Sequence, residues 1–136
     1  QLPTVFVSSV LRQVLLGLSH VHSQGLLHLD LKSQNIMLLS SSTLPRSAED
    51  GTPLSDFFQK PHAVVMDLGV SCVFEPGDFK TETACGTAAT MAPEVWSGLM
   101  TPKADVFSLG VVLYELLSLK LPFNVPQNRQ DALAYW

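Results

Sequence analysis

The stretch His28-Leu29-Asp30-Leu31-Lys32-Ser33-Gln34-Asn35 decides how this chain is read. It sets an acid, a lysine and an amide within six positions, between the apolar pair Leu26-Leu27 and the apolar run Ile36-Met37-Leu38-Leu39. The apolar flanks gain by burial, whereas the polar centre cannot be buried without partners. The stretch therefore reads as a loop held on a buried frame, with Asp30, Lys32 and Asn35 presented together. A second acid follows in Asp67-Leu68-Gly69, at the end of a short apolar strand over residues 63–67. Two acids, a lysine and an amide on strand-end loops are the groups needed to handle a phosphate and its magnesium ion. Mg²⁺ takes hard oxygen ligands, which Asn35 and Asp67 can supply. A carboxylate beside a hydroxyl can orient it and accept its proton, and a lysine can neutralise charge on a transferred phosphoryl group.

On the N-terminal side, Val7, Val10, Leu11, Val14, Leu15, Leu18 and Val21 recur at offsets of three and four, the mark of an apolar helix face. Gly25 supplies a left-handed stop. On the C-terminal side, residues 40–62 carry three serines in a row, Pro45, Gly51, Pro53 and Pro61 without periodicity, and read as an exposed loop. Thr101-Pro102 predicts a helix start, with Thr as N-cap and Pro at the first helical position. Val106, Leu109, Val112, Leu113, Leu116 and Leu117 then predict its apolar face, and Pro122 closes that region. Residues 128–136 read as a further helix. No repeat is visible.

Composition bounds the function classes. The 136 residues are 46% hydrophobic and 15% charged, which suits a packed core rather than a disordered chain. A net charge of −4 without a Lys/Arg cluster argues against nucleic-acid binding. Cys72 and Cys85 are too few for a disulfide framework, so a reduced, intracellular and cytoplasmic protein is expected. No apolar run reaches the ~18–20 uninterrupted residues of a membrane span, and no secretory leader is visible. The chain opens on Gln1 and closes inside a helical pattern, so both ends are expected to be cut.

Taken together, these motifs resemble the eukaryotic-type protein kinase catalytic domain. Residues 28–35 resemble its H-R-D-L-K-x-x-N catalytic loop, Asp67-Leu68-Gly69 its D-F-G motif, and Ala92-Pro93-Glu94 its A-P-E motif. Gly86-Thr87 before Met91 resembles the peptide-receiving segment, and residues 105–110 resemble the start of the central buried helix. The Asp-Leu-Lys-Ser start is similar to Ser/Thr kinases of the tyrosine-kinase-like branch. The resemblance implies an α+β, protein-kinase-like fold: a partial, mainly helical C-terminal lobe over residues 1–136 with a small β-hairpin element. It implies a loop insertion at 40–62 and an activation segment at 67–94. Asp30 would be the catalytic base. Lys32 would sit near the γ-phosphate of ATP, and Thr87 would hydrogen-bond both. Asn35 and Asp67 would hold Mg²⁺, and Met37 would lie under the adenine. His28 and Leu68 would stack in the family's hydrophobic spine, and Asp105 would hold the catalytic-loop backbone. The implied partners are ATP and a protein substrate.

The chain also departs from the pattern. Leu29 stands where the family carries Arg, so a phosphorylated activation segment would lose its usual cationic partner. Ala88 and Thr90 replace the usual Pro and aromatic residue. No G-x-G pair and no V-A-I-K-like strand is present, so the N-terminal lobe is expected to be absent and residues 1–136 alone to be inactive. The competing reading is a non-catalytic kinase-like interaction module, a pseudokinase or truncated product. A zinc site from His20, His22, Cys72 and Cys85 is not expected, because the spacings fit no common pattern.

Overall fold

In a computed structural model, residues 2–39, 58, 60–74, 77 and 84–136 are described. Helix α1 spans Thr4–Ser23 and buries Phe6, Val7, Val10, Val14 and Leu18. That is the predicted stripe, narrowed: Leu15 lies off its line and is half exposed. Gly25 follows at φ 71°, the expected left-handed stop. Averaged over its length, α1 is apolar enough to cross a membrane, the one such helix among the described residues. The reading from uninterrupted runs set it short of a span because scattered serines and Arg12 break it. In the fold its inner face packs on the strand His62–Val65 and on the long helix Pro102–Ser118.

Four short strands follow: β1 (Leu26–Leu27), β2 (Ile36–Leu39), β3 (His62–Val65) and β4 (Cys72–Val73). They form two antiparallel pairs. In one, β2 meets β3 with Ile36 opposite Val65 and Leu39 opposite His62. In the other, β1 meets β4 with Leu27 opposite Cys72. The β3 strand begins one residue earlier and ends two residues earlier than the apolar run predicts, because Asp67 turns away at φ 65°. The start of β3 is clasped by α1. The Gln13 side-chain amide donates to the Pro61 carbonyl at 2.8 Å and accepts from the Ala63 N–H at 3.0 Å, imitating a neighbouring strand. Most of the expected loop at 40–62 lies outside the described residues.

Helix α2 (Pro93–Trp96) is a single turn. Helix α3 (Pro102–Ser118) starts as predicted, with Thr101 Oγ1 accepting from the Lys103 N–H at 3.2 Å. Its buried face differs from the expected one. Val106 and Leu117 are exposed, while Ala104, Asp105, Ser108, Leu109, Val111 and Val112 are buried. Leu109 and Val112 are the expected members, and Leu113 and Leu116 pack partly buried against the core; apolar periodicity passed over Asp105 and Ser108 because they are polar. The helix stops at Leu119, at φ 58°, before Pro122. Helix α4 (Arg129–Tyr135) is capped by Asn128, whose side chain accepts from the Asp131 N–H.

The core has two parts. Leu31 joins Phe6, Val7, Val10, Val14, Leu18, Ala63 and Leu109 in one cluster. Leu27 and Leu29 join Ala88, Met91, Ala92, Val95, Trp96 and Met100 in the other. Alternate leucines thus anchor the segment to both sides, each burial giving about 1.5–3 kcal/mol. Between them the polar residues are left at the seam.

Candidate active site

Asp30, Lys32 and Thr87 form a closed triangle. Lys32 Nζ donates to Asp30 Oδ2 at 2.7 Å and to Thr87 Oγ1 at 2.8 Å. Thr87 Oγ1 donates to Asp30 Oδ1 at 2.6 Å. Asn35 closes the loop from the other side: Nδ2 donates to the Asp30 carbonyl at 2.8 Å and to Oδ2 at 3.3 Å. A single turn of 3₁₀ helix, Ser33–Asn35, brings Asn35 back over Asp30. With its Nδ2 so committed, Asn35 offers Oδ1 as its side-chain donor to a cation. Partial burial disfavours charge on Asp30. The bonds from Lys32 and Thr87, the lysine charge and the Asn35 bond outweigh it, and hold the carboxyl below its ordinary value.

Asp105, fully buried, fixes the backbone beneath this triangle. Its Oδ2 accepts from the His28 N–H at 2.9 Å and its Oδ1 from the Leu29 N–H at 2.8 Å. His22, in the last turn of α1, adds Nε2 to Asp105 Oδ2 at 2.7 Å. The same backbone carries strain: Leu29 sits at φ 62°, a left-handed conformation costing a non-glycine residue about 1–2 kcal/mol. The His28 ring spans the seam. Its Nδ1 accepts from the Asp30 N–H at 3.3 Å, and its Nε2 faces the Met66 carbonyl at 3.0 Å, which together require the Nε2–H tautomer.

Met66 links the second acid to the loop. Its N–H donates to the Asn35 carbonyl at 2.8 Å and its carbonyl receives His28, so Asp67 leaves the strand directly beside the loop. Asp67 Oδ1 accepts from the Gly69 N–H at 3.0 Å. The two oxygen-bearing side chains expected to hold Mg²⁺, Asn35 and Asp67, thus stand at the ends of adjoining backbone segments. As hard donors they fit such an ion. Met37 lies on β2 opposite Val64 and is 40% exposed. Leu68, expected to stack with His28, is 46% exposed, whereas His28 is fully buried.

Three residues in this arrangement escaped the sequence reading of function. By sequence His22 suggests only a metal ligand, whereas its partner in the fold is Asp105, 83 residues away. Ser108 is an ordinary helical serine by sequence, yet its Oγ donates to the Thr90 carbonyl at 2.7 Å. Gly86 was read as part of a motif, and the close backbone approach that demands glycine there appears only in three dimensions. Among the described residues, no cluster of three His, Cys, Asp or Glu side chains forms a metal site.

The profile of the protein kinase domain matches residues 2–134, and the chain belongs to the protein kinase family. Its relatives are kinases by name. The "Probable serine/threonine-protein kinase nek1" of Dictyostelium discoideum is 36% identical over 113 residues, covering 82% of this chain and 23% of that protein. Calcium-dependent protein kinase 4 of Plasmodium berghei is 34% identical over 129 residues, 95% of this chain and 21% of that protein. CBL-interacting protein kinase 28 of rice is 36% identical over 117 residues, 83% and 22% respectively. The chain therefore spans a little over a fifth of the length of these relatives.

Proposed function

We propose that this chain is the C-terminal-lobe portion of a Ser/Thr protein kinase that moves the γ-phosphoryl of ATP to a protein hydroxyl. The observation that carries the reading is the Asp30–Lys32–Thr87 triangle, with three contacts of 2.6–2.8 Å, in a chain of the kinase family. Asp30, kept ionised, accepts the proton of the substrate hydroxyl as its oxygen bonds to phosphorus and the bond to the departing diphosphate breaks. The proton then leaves to solvent. Lys32, fixed between Asp30 and Thr87, places its charge where the phosphoryl passes. Thr87 keeps Asp30 from turning away. Asn35 and Asp67 would hold Mg²⁺, which supplies neutralisation of phosphate charge when bound. Met37, on an exposed strand face, would carry the adenine. We place the reaction in the cytoplasm, a reading that two cysteines, too few for a disulfide framework, favour.

Leu29 adds a proposal on regulation. In place of a cationic residue it buries an apolar side chain among Ala88, Met91 and Ala92, with Ala84 and Cys85 packed against that cluster. The segment ahead of Pro93 is held on the loop by burial, so a phosphate on that segment is not required.

The test is Asp30→Asn in the full-length gene product. Transfer of labelled phosphate from MgATP to casein should fall about 10²–10⁴-fold with folding intact. Retained transfer would refute Asp30 as base. Residues 1–136 alone should show no transfer, because one wall of a cleft orients ATP poorly.

A further inference from the structure

Asp105 and Ser108 lie three residues apart on the buried face of α3. Asp105 grips the loop that bears Asp30. Ser108 grips the opposite half of the site. A serine inside a helix ordinarily bonds back to the carbonyl four residues earlier. Here that contact, to Ala104, is 3.1 Å, while the contact across to the Thr90 carbonyl is 2.7 Å. One hydroxyl has one proton, and the shorter contact takes it.

Thr90 closes a tight turn. The N–H groups of Thr90 and Met91 both donate to the Thr87 carbonyl at 3.0 Å, and Thr90 Oγ1 adds a third donor at 3.3 Å. Residues 87–91 therefore move as one piece. At the other end of that piece is the Thr87 hydroxyl, donating to Asp30 at 2.6 Å. We propose that Ser108 is a positioning residue: by anchoring Thr90 it holds the 87–91 turn at the distance that lets Thr87 meet Asp30. Two polar residues on one helix face then set both halves of the site. For catalysis the proposal rests on the kinase reading. The turn would flank a protein substrate, so its displacement should be felt in substrate binding more than in ATP binding.

The experiment uses the full-length gene product with Ser108→Ala, Ser108→Cys (similar volume, weak donor) and Ser108→Thr (hydroxyl kept). Casein and ATP are varied separately, and amide exchange is followed. Loss of one such hydrogen bond should raise KM for casein about three- to tenfold in the Ala and Cys variants, with KM for ATP unchanged. Exchange at Thr90 and Met91 should quicken while α1 is unaffected, and Ser108→Thr should lie near wild type. Wild-type KM and exchange in Ser108→Ala would overturn the proposal. So would equal loss of protection in α1, which marks a merely global effect. Should the wild-type protein transfer no phosphate at all, the kinase reading falls, and the exchange measurement still decides whether Ser108 holds the turn.

Discussion

A β-carbon at residue 86 would stand 2.3 Å from the carbonyl oxygen of Leu29, so glycine alone permits the approach of these two backbones. Gly86 also lies at φ +106°, where side chains are strained whatever the space. Gly86→Ala must push the segment off the loop and part Thr87 from Asp30. We expect a loss of about 2–4 kcal/mol in stability, read as a lower denaturant midpoint, with at least tenfold slower phosphate transfer. A variant with wild-type midpoint and rate would contradict the contact.

Asp105→Asn keeps the shape of the side chain and removes one of its acceptors. The N–H groups of His28 and Leu29 and the ring of His22 then compete for a single oxygen, with an amide N–H₂ facing a donor. Burial makes the mismatch expensive, at about 2–4 kcal/mol. His22→Ala removes only one of the three donors and should cost less, about 1 kcal/mol. Urea titration of both variants orders these effects, and a larger loss from His22→Ala would refute the ranking.

Asp30 ties stability to acidity. Its carboxyl is held below the ordinary value in the fold, so above the ordinary value of about 3.9 its ionised contacts contribute fully. As the pH drops through the lowered folded value that contribution disappears. Asp30→Asn has none to lose. The gap in melting temperature between wild type and Asp30→Asn should therefore stay constant near neutrality and change as the pH is taken below about 4. A gap independent of pH down to about 2 would show that the carboxyl is not so held.

Leu29→Arg restores the residue usual in the family and places its charge in an apolar cluster, where Leu29 is 4% exposed. Without a phosphate to meet, the guanidinium should destabilise the protein by about 2–4 kcal/mol. In the wild type, phosphatase treatment should leave the rate of transfer unchanged. A rate that collapses after dephosphorylation would overturn the reading of Leu29.

How much of this was legible in the sequence depends on the kind of signal. Helix α1 and the start of α3 were written in local chemistry: an apolar period, Gly25, and the Thr101-Pro102 pair. The grouping of Asp30, Lys32 and Asn35 was legible because eight consecutive residues carry it, and the placing of Thr87 because the family motif includes it. Leu109 and Val112 on the buried face of α3 were legible as well, whereas Asp105 and Ser108 were not, since their burial follows from partners 77 and 18 residues away rather than from hydrophobicity. The pairing of β1 with β4 was equally hidden, for two-residue strands are fixed by long-range register and not by pattern.

The clasp of Gln13 on Pro61 and Ala63, together with the pairing of Leu39 with His62, fixes the outer end of the β2–β3 pair. At the inner end the Met66 N–H donates to the Asn35 carbonyl, so β3 cannot slide along β2 without breaking both ties. The distance from Asp67 to the loop bearing Asp30 is thereby governed by α1, through a single glutamine, as much as by the loop itself.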